Sequence, residues 1–228
     1  MAVRRVTHHG GNVIGKFPSI KLARMVCFES TIERDLLYLL DFEPDVVFFA
    51  EQPLTIEYVS NGKTLRYTPD FHIVRTGNTC TCAARERKCG CRNTLVECKP
   101  SRLTGTDDNR RKFAAAQSWC AERGWDFTVV TDTQLRAGYR LRNIKALTGY
   151  AWHTVPPHLK GQVYATLKAS PVPLTVGEVA QCLMPDHPAA ALGGIWHMAF
   201  HHEVVMPLEV APLSMRSPIA LPSAVLAP

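Results

Sequence analysis

With 228 residues, 46% hydrophobic and 20% charged, the chain is long enough for one main domain plus a small second one and too apolar for global disorder. A net charge of +6 and a pI near 9.0 favour a polyanionic partner such as nucleic acid. No apolar run reaches the roughly 18 residues of a membrane span, and no apolar stretch follows Arg4 and Arg5 to make a signal peptide, so a cytoplasmic protein with reduced thiols and no membrane contact is expected.

The basic excess is uneven. Residues 1–28 hold Arg4, Arg5, Lys16, Lys21 and Arg24 with His8, His9 and no acid, and read as a basic N-terminal arm. Residues 151–228, by contrast, hold three basic and four acidic side chains. After the arm, residues 29–150 form the main predicted domain. The segment ESTIERDLLYLLDFEPD predicts a helix with Ser30 as N-cap, Glu33 three residues on, a broad leucine face, and Pro44 as its stop. VVFFA and LTIEYV are short strand candidates, and Asn61-Gly62 supplies a left-handed hairpin turn into KTLRY. TPDFHIV is the next strand and NTLVECK its partner.

Between those two strands lies CTCAARERKCGC, a hairpin insertion at 78–92. Its Cys80, Cys82, Cys89 and Cys91 fall in a symmetric C-x-C-x6-C-x-C pattern that matches a four-cysteine structural Zn2+ site, unliganded thiols being the plainer alternative. Four protein thiolates leave no open position for a substrate water, so the expected role is structural. DDNRRKFAAAQSWCAERG then predicts a helix with Phe113, Ala116 and Cys120 inward and Gly124 at its end. WDFTVVT reads as a buried strand, and TDTQLRAGYRLRNIKAL as a basic helical or irregular segment opening at Thr131 or Asp132. The order helix, strands, helix, strand indicates an α/β fold, a mixed sheet flanked by helices.

From about Trp152 the composition shifts. LKGQVYATLKAS, LTVGEVAQCLM and AAALGGIWHMAFHHEVV are three short helical patterns before a Pro-rich tail, which suits a small winged helix-turn-helix domain over 151–228. The last helix has His197, His201 and His202 but no Lys or Arg, so docking onto a protein and reading DNA are both open; these histidines are read as surface or core residues, not ligands. The tail's prolines read as a linker or docking strand.

The chemistry concentrates in two short pieces. On a strand, Glu97 and Lys99 emerge on one face with Cys98 on the other. If the strands before and after the cysteine insertion pair antiparallel, Asp70 and Glu97 face each other across the ladder. Opposed like charges are unfavourable, and a hard divalent cation, Mg2+ or Mn2+, would compensate them, polarise a phosphodiester and acidify its bound water. Plainer readings exist for each residue: a capping box for Glu33, a turn for Asp70, and a surface ion pair worth about 0–1 kcal/mol for Glu97 and Lys99.

Pro69-Asp70 followed by Glu97-Cys98-Lys99 resembles the PD-(D/E)XK nuclease superfamily. The whole ordered series, FESTIERDLLYLLDFEPDVVFFAEQP, a hairpin, YTPDF and LVECKP, is similar to the nuclease domain of TnsA-like endonuclease subunits of heteromeric transposases over about residues 15–150, with a TnsA-like winged helix-turn-helix domain after it. The resemblance implies a restriction-endonuclease-like core in which Glu33 is the helix-borne acid, Asp70 and Glu97 complete the metal site, Lys99 is the lysine of the motif, and Gln52 of E-Q-P supports the site. It implies hydrolysis at the 5′ strand of double-stranded transposon ends, alongside a DDE transposase subunit (TnsB-like) and an AAA+ ATPase regulator (TnsC-like), in a bacterial cytoplasm at the nucleoid. The cysteine tetrad departs from the plainest family members, which bears on the spacing of Asp70 and Glu97. Two other classes remain open, a stand-alone restriction or repair nuclease and a non-catalytic zinc-stabilised DNA-binding regulator.

Overall fold

The computed structural model describes residues 13–77 and 90–222. The chain forms two compact units, Met1–Leu135 and Arg136–Pro228. The division falls earlier than the expected 150/151 because helix Arg140–Thr148 buries Leu141, Ile144 and Leu147 and packs on a helix of the second unit.

In the first unit, Gly15–Ser19 (β1) and Arg24–Phe28 (β2) pair antiparallel with Phe17, Val26 and Phe28 buried. Residues 15–28 are thus a packed hairpin and not the basic arm expected there, since alternate apolar side chains give it one buried face; residues 1–12 lie outside the described residues. Asp41 secures the hairpin's turn, accepting from the Ser19 hydroxyl and from the Ile20 and Lys21 N–H groups. Asp41 belongs to helix Thr31–Phe42 (α1), whose N-cap Ser30 accepts from the Glu33 N–H and whose Leu36, Leu37 and Leu40 are buried. It ends at Glu43, just before Pro44, as expected.

Val46–Glu51 (β3), Ile56–Ser60 (β4), Lys63–Tyr67 (β5), Phe71–Arg75 (β6) and Arg92–Lys99 (β7) follow. β4 and β5 make a separate hairpin, turned at Asn61 and Gly62, both at positive φ (51° and 71°). Helix Asp107–Ala121 (α2), capped by Thr106, leads through Gly124 (φ 65°) to strand Asp126–Thr131 (β8) and the short helix Asp132–Leu135 (α3). The central sheet has the order β3-β6-β7-β8, antiparallel except for the parallel β7–β8 pair. Mixed, with α1 packed on β3 and β7 and α2 on β8, it fits a restriction-endonuclease-like fold. Strand β8 is less buried than its sequence suggests, with Asp126 and Thr128 exposed, because among the described residues it pairs on one side only.

The second unit contains Arg140–Thr148 (α4), Pro157–Ala169 (α5), Leu174–Thr175 (β9), Val176–Leu183 (α6), Ala189–Phe200 (α7) and Pro218–Ile219 (β10). Helices α5, α6 and α7 pack on one another around Val163, Val179, Ile195 and Met198. Gly194 sits where α5 meets α7; a Cβ there would lie 2.7 Å from Leu159 Cδ2. The tail is no free linker up to residue 222. β10 pairs with β9, Val205 bridges Ala220, and the buried Asn143 side chain donates to the Leu208 and Ala211 carbonyls and accepts from the Leu213 N–H. His197 and His201 contact the Tyr150 and Ala151 carbonyls, which accounts for them structurally. Among the described residues no helix is long and apolar enough to cross a membrane.

Candidate active site

Sheet register assembles the site. β6 and β7 pair without interruption from Arg75↔Arg92 to Phe71↔Val96, so the next step sets Asp70 opposite Glu97. The cysteine insertion leaves this register intact, and its base is tight: a Cβ on Gly77 would lie 2.6 Å from the Gly90 carbonyl oxygen. Of the tetrad, Cys80, Cys82 and Cys89 lie outside the described residues. The Cys98 N–H donates to Asp70 Oδ2 at 2.7 Å, fastening the carboxylate to the end of β7.

Alternation along β7 puts Glu97 and Lys99 on one face, and the ammonium Nζ lies 2.6 Å from Glu97 Oε1. Glu97 is 2% exposed, so the plain reading of a solvated surface pair does not hold. Its second oxygen, Oε2, accepts from the buried Tyr67 hydroxyl at 2.7 Å. Glu33 opens α1, where its Oε2 accepts from the Glu29 N–H and its Oε1 from the Ser30 hydroxyl, both at 2.8 Å. The Ser30 half of the expected capping box is present, but the Glu33 carboxylate accepts from the Glu29 N–H instead of the Ser30 N–H, and the same side chain lines one cleft with Asp70, Glu97 and Lys99.

Burial raises the pKa of Asp70 well above its ordinary value, and the charges of Glu97 and Glu33 raise it further against Lys99 and the Cys98 N–H. Burial likewise raises Glu33, opposed by its two hydrogen bonds and assisted by Glu29 and Glu97. Lys99 moves the other way. Burial disfavours its charge, but Glu97, Asp70 and Glu33 outweigh that and lift its pKa above the ordinary value. Two carboxyl groups raised by burial and by the charges of their neighbours, lining one cleft with Glu97 and the Lys99 ammonium, form the kind of cluster found at functional sites.

Residues 43–132 match the family model described as TnsA-like endonuclease N terminal. This part of the chain is similar to the N-terminal domain of TnsA-like endonucleases. No curated protein matches the chain. The match takes in Gln52, Asp70, Glu97 and Lys99; Glu33 and the second unit fall outside it.

Gln52 of the matched segment sits just after β3 at φ 44°, a strained conformation for a residue other than glycine. Its N–H donates to the Asp70 carbonyl at 2.8 Å and its Nε2 to Glu29 Oε1 at 2.8 Å, while its Oε1 is buried with no partner among the described residues. Gln52 therefore acts on the backbone of Asp70. Sequence reading gave no role to Tyr67, although YTPD places it three residues before Asp70. It also passed over Arg102 and Lys112, cleft residues that form no ion pair among the described residues, whereas the cleft's Arg66 is paired with Glu57.

Among the described residues, no three His, Cys, Asp or Glu side chains converge closely enough as they stand to hold a metal ion. As they stand, Glu33 accepts from the Glu29 N–H and the Ser30 hydroxyl, Glu97 from Tyr67 and Lys99, and Asp70 from the Cys98 N–H. The donor set nonetheless fits a hard cation. All three groups are carboxyl oxygens, as Mg2+ and Mn2+ prefer, and Asp70 Oδ1 accepts no hydrogen bond from the described residues.

Proposed function

We propose that this chain is a divalent-metal-dependent DNA endonuclease, using Mg2+ or Mn2+, that hydrolyses the 5′ strand at transposon ends as the TnsA-type subunit of a heteromeric transposase. The observation that carries the proposal is the opposition of Asp70 and Glu97 across β6 and β7, with the Lys99 ammonium 2.6 Å from Glu97. Glu33, Asp70 and Glu97 are the residues to hold the cation. When bound, the cation would polarise the phosphodiester and acidify a water. Lys99 is the group to orient that water or balance charge growing on the phosphoryl oxygens, and Gln52 keeps the Asp70 backbone in place. Arg102 and Lys112, unpaired cations among the described residues of the same cleft, are suited to flanking phosphates of double-stranded DNA.

Three further assignments belong to the same proposal. The cysteine tetrad holds a structural Zn2+, supported by its spacing alone. The second unit is a winged helix-turn-helix, supported by the succession α5, β9, α6, α7 and the return of β10 to β9, and it serves DNA or a protein partner. The partners are a DDE transposase subunit and an AAA+ ATPase regulator, in the cytoplasm at the nucleoid.

A nicking assay on double-stranded DNA carrying transposon ends, with Mg2+ and with or without the transposase subunit, tests the proposal. Cleavage that needs the partner supports it. Cleavage by the chain alone indicates a stand-alone nuclease, and binding without cleavage under either condition indicates a regulator. Full activity in Asp70→Ala, Glu97→Ala and Lys99→Ala would remove the site assignment.

A further inference from the structure

Tyr67 ends β5 with its side chain inside the first unit, 5% exposed. Its ring belongs to an apolar cluster with Ile56, Leu95, Ala116 and Cys120. A phenol in such surroundings needs an acceptor, because an unmade hydrogen bond there costs free energy. The acceptor is Glu97 Oε2 at 2.7 Å. Lys99 meets the other oxygen, Oε1, at 2.6 Å.

Two donors on two different oxygens remove the carboxylate's freedom to rotate. Each oxygen has two lone pairs, so the arrangement orients Glu97 without exhausting its capacity to accept. Lys99 cannot orient it alone, since its ammonium sits on a flexible stem and its side chain is 26% exposed. Tyr67 is fixed by packing.

We propose that Tyr67 is a positioning residue for the cation site, its hydroxyl holding Glu97 at the angle from which Glu97 and the opposed Asp70 share one divalent ion. The inference rests on Glu97 being a metal ligand. Hydrogen-bond partners behind metal ligands typically contribute 10–100-fold in affinity or activity, and Tyr67 is the buried, packed partner of this kind on Glu97.

The test is Mn2+ binding, read as the free-ion electron paramagnetic resonance signal, on the full metal-free chain. Wild type, Tyr67→Phe, Glu97→Gln and Tyr58→Phe are compared, each with a melting curve. Tyr58 packs against the same apolar cluster as Tyr67 and controls for a hydroxyl lost nearby. The expected result is no binding in Glu97→Gln, binding weakened about 10-fold in Tyr67→Phe, and wild-type binding in Tyr58→Phe. In cleavage, Tyr67→Phe should raise the metal concentration giving half-maximal rate and leave DNA affinity unchanged. Wild-type Mn2+ binding in Tyr67→Phe, with binding lost in Glu97→Gln, overturns the positioning role and leaves the metal site standing. An equal loss in Tyr58→Phe also overturns it, because the effect would then be one of packing. A wild-type chain that binds no Mn2+ overturns the metal site and the inference together.

Discussion

Lys99→Met removes the ammonium from Glu97 while keeping an unbranched apolar stem. Taking one partner from a buried ion pair costs about 3–5 kcal/mol, because the other charge stays buried and uncompensated. Here the Glu97 side chain is 3% exposed and that of Lys99 26%. The partly solvated ammonium places the cost at or below the lower bound of that range, at about 2–3 kcal/mol. At roughly 2–4 °C per kcal/mol for a chain of this size, the metal-free protein should melt about 5–10 °C lower. The cost should be flat across neutral pH. Lys99 has a pKa raised above its ordinary 10.5, so the pair's contribution is complete below that value and is lost only as pH rises through the higher folded one. Adding Glu97→Gln to Lys99→Met should recover most of the loss, because the buried charge goes too. Urea unfolding of the four members of this double-mutant cycle, in chelator, measures the coupling directly. A single variant within about 0.5 kcal/mol of wild type, or a double variant no more stable than the single, would refute the picture of a buried carboxylate held by its lysine.

Asp70→Asn should abolish cleavage yet stabilise the metal-free protein at pH values above the unfolded pKa of Asp70. The folded pKa of Asp70 lies above its unfolded value, so wild-type stability falls as pH rises through the folded value; thermal melts across pH should show the Asp70→Asn variant lacking that part of the decline. Arg102→Ala and Lys112→Ala should each weaken binding to all duplex sequences alike and lower the slope of log affinity against log salt by about 1, read by fluorescence anisotropy. Elemental analysis should find about one zinc per chain, lost in Cys82→Ser, and the variant should keep the β6–β7 register because pairing resumes at Arg75↔Arg92 without the insertion.

Much of the first unit was legible because its signals are local. Ser30 and Glu33 announce a helix start within four residues, Asn61-Gly62 announces a hairpin, and alternation along LVECK predicts a shared face for Glu97 and Lys99; all three are present. Local signals also misled. Lys16, Lys21 and Arg24 suggested a solvated arm, but the alternate Phe17, Val26 and Phe28 between them bury a hairpin. Composition placed the domain boundary at 150, whereas the apolar face of α4 joins it to the second unit. A Pro-rich tail looked like a linker, yet Asn143 and β9 hold it by backbone hydrogen bonds that leave no compositional trace.

Residue types, their periods and their turn chemistry were enough to name the motif residues and the strands that carry them, since each depends on neighbours a few positions away. The pairing of Asp70 with Glu97, the burial that turns a surface ion pair into a charge cluster, and the Tyr67 hydroxyl reaching a carboxylate 30 residues on depended on sheet register and on what packs above it. Those are set by the burial of Leu95, Phe71 and Ala116 from three separate elements, and no single stretch of sequence contains that information.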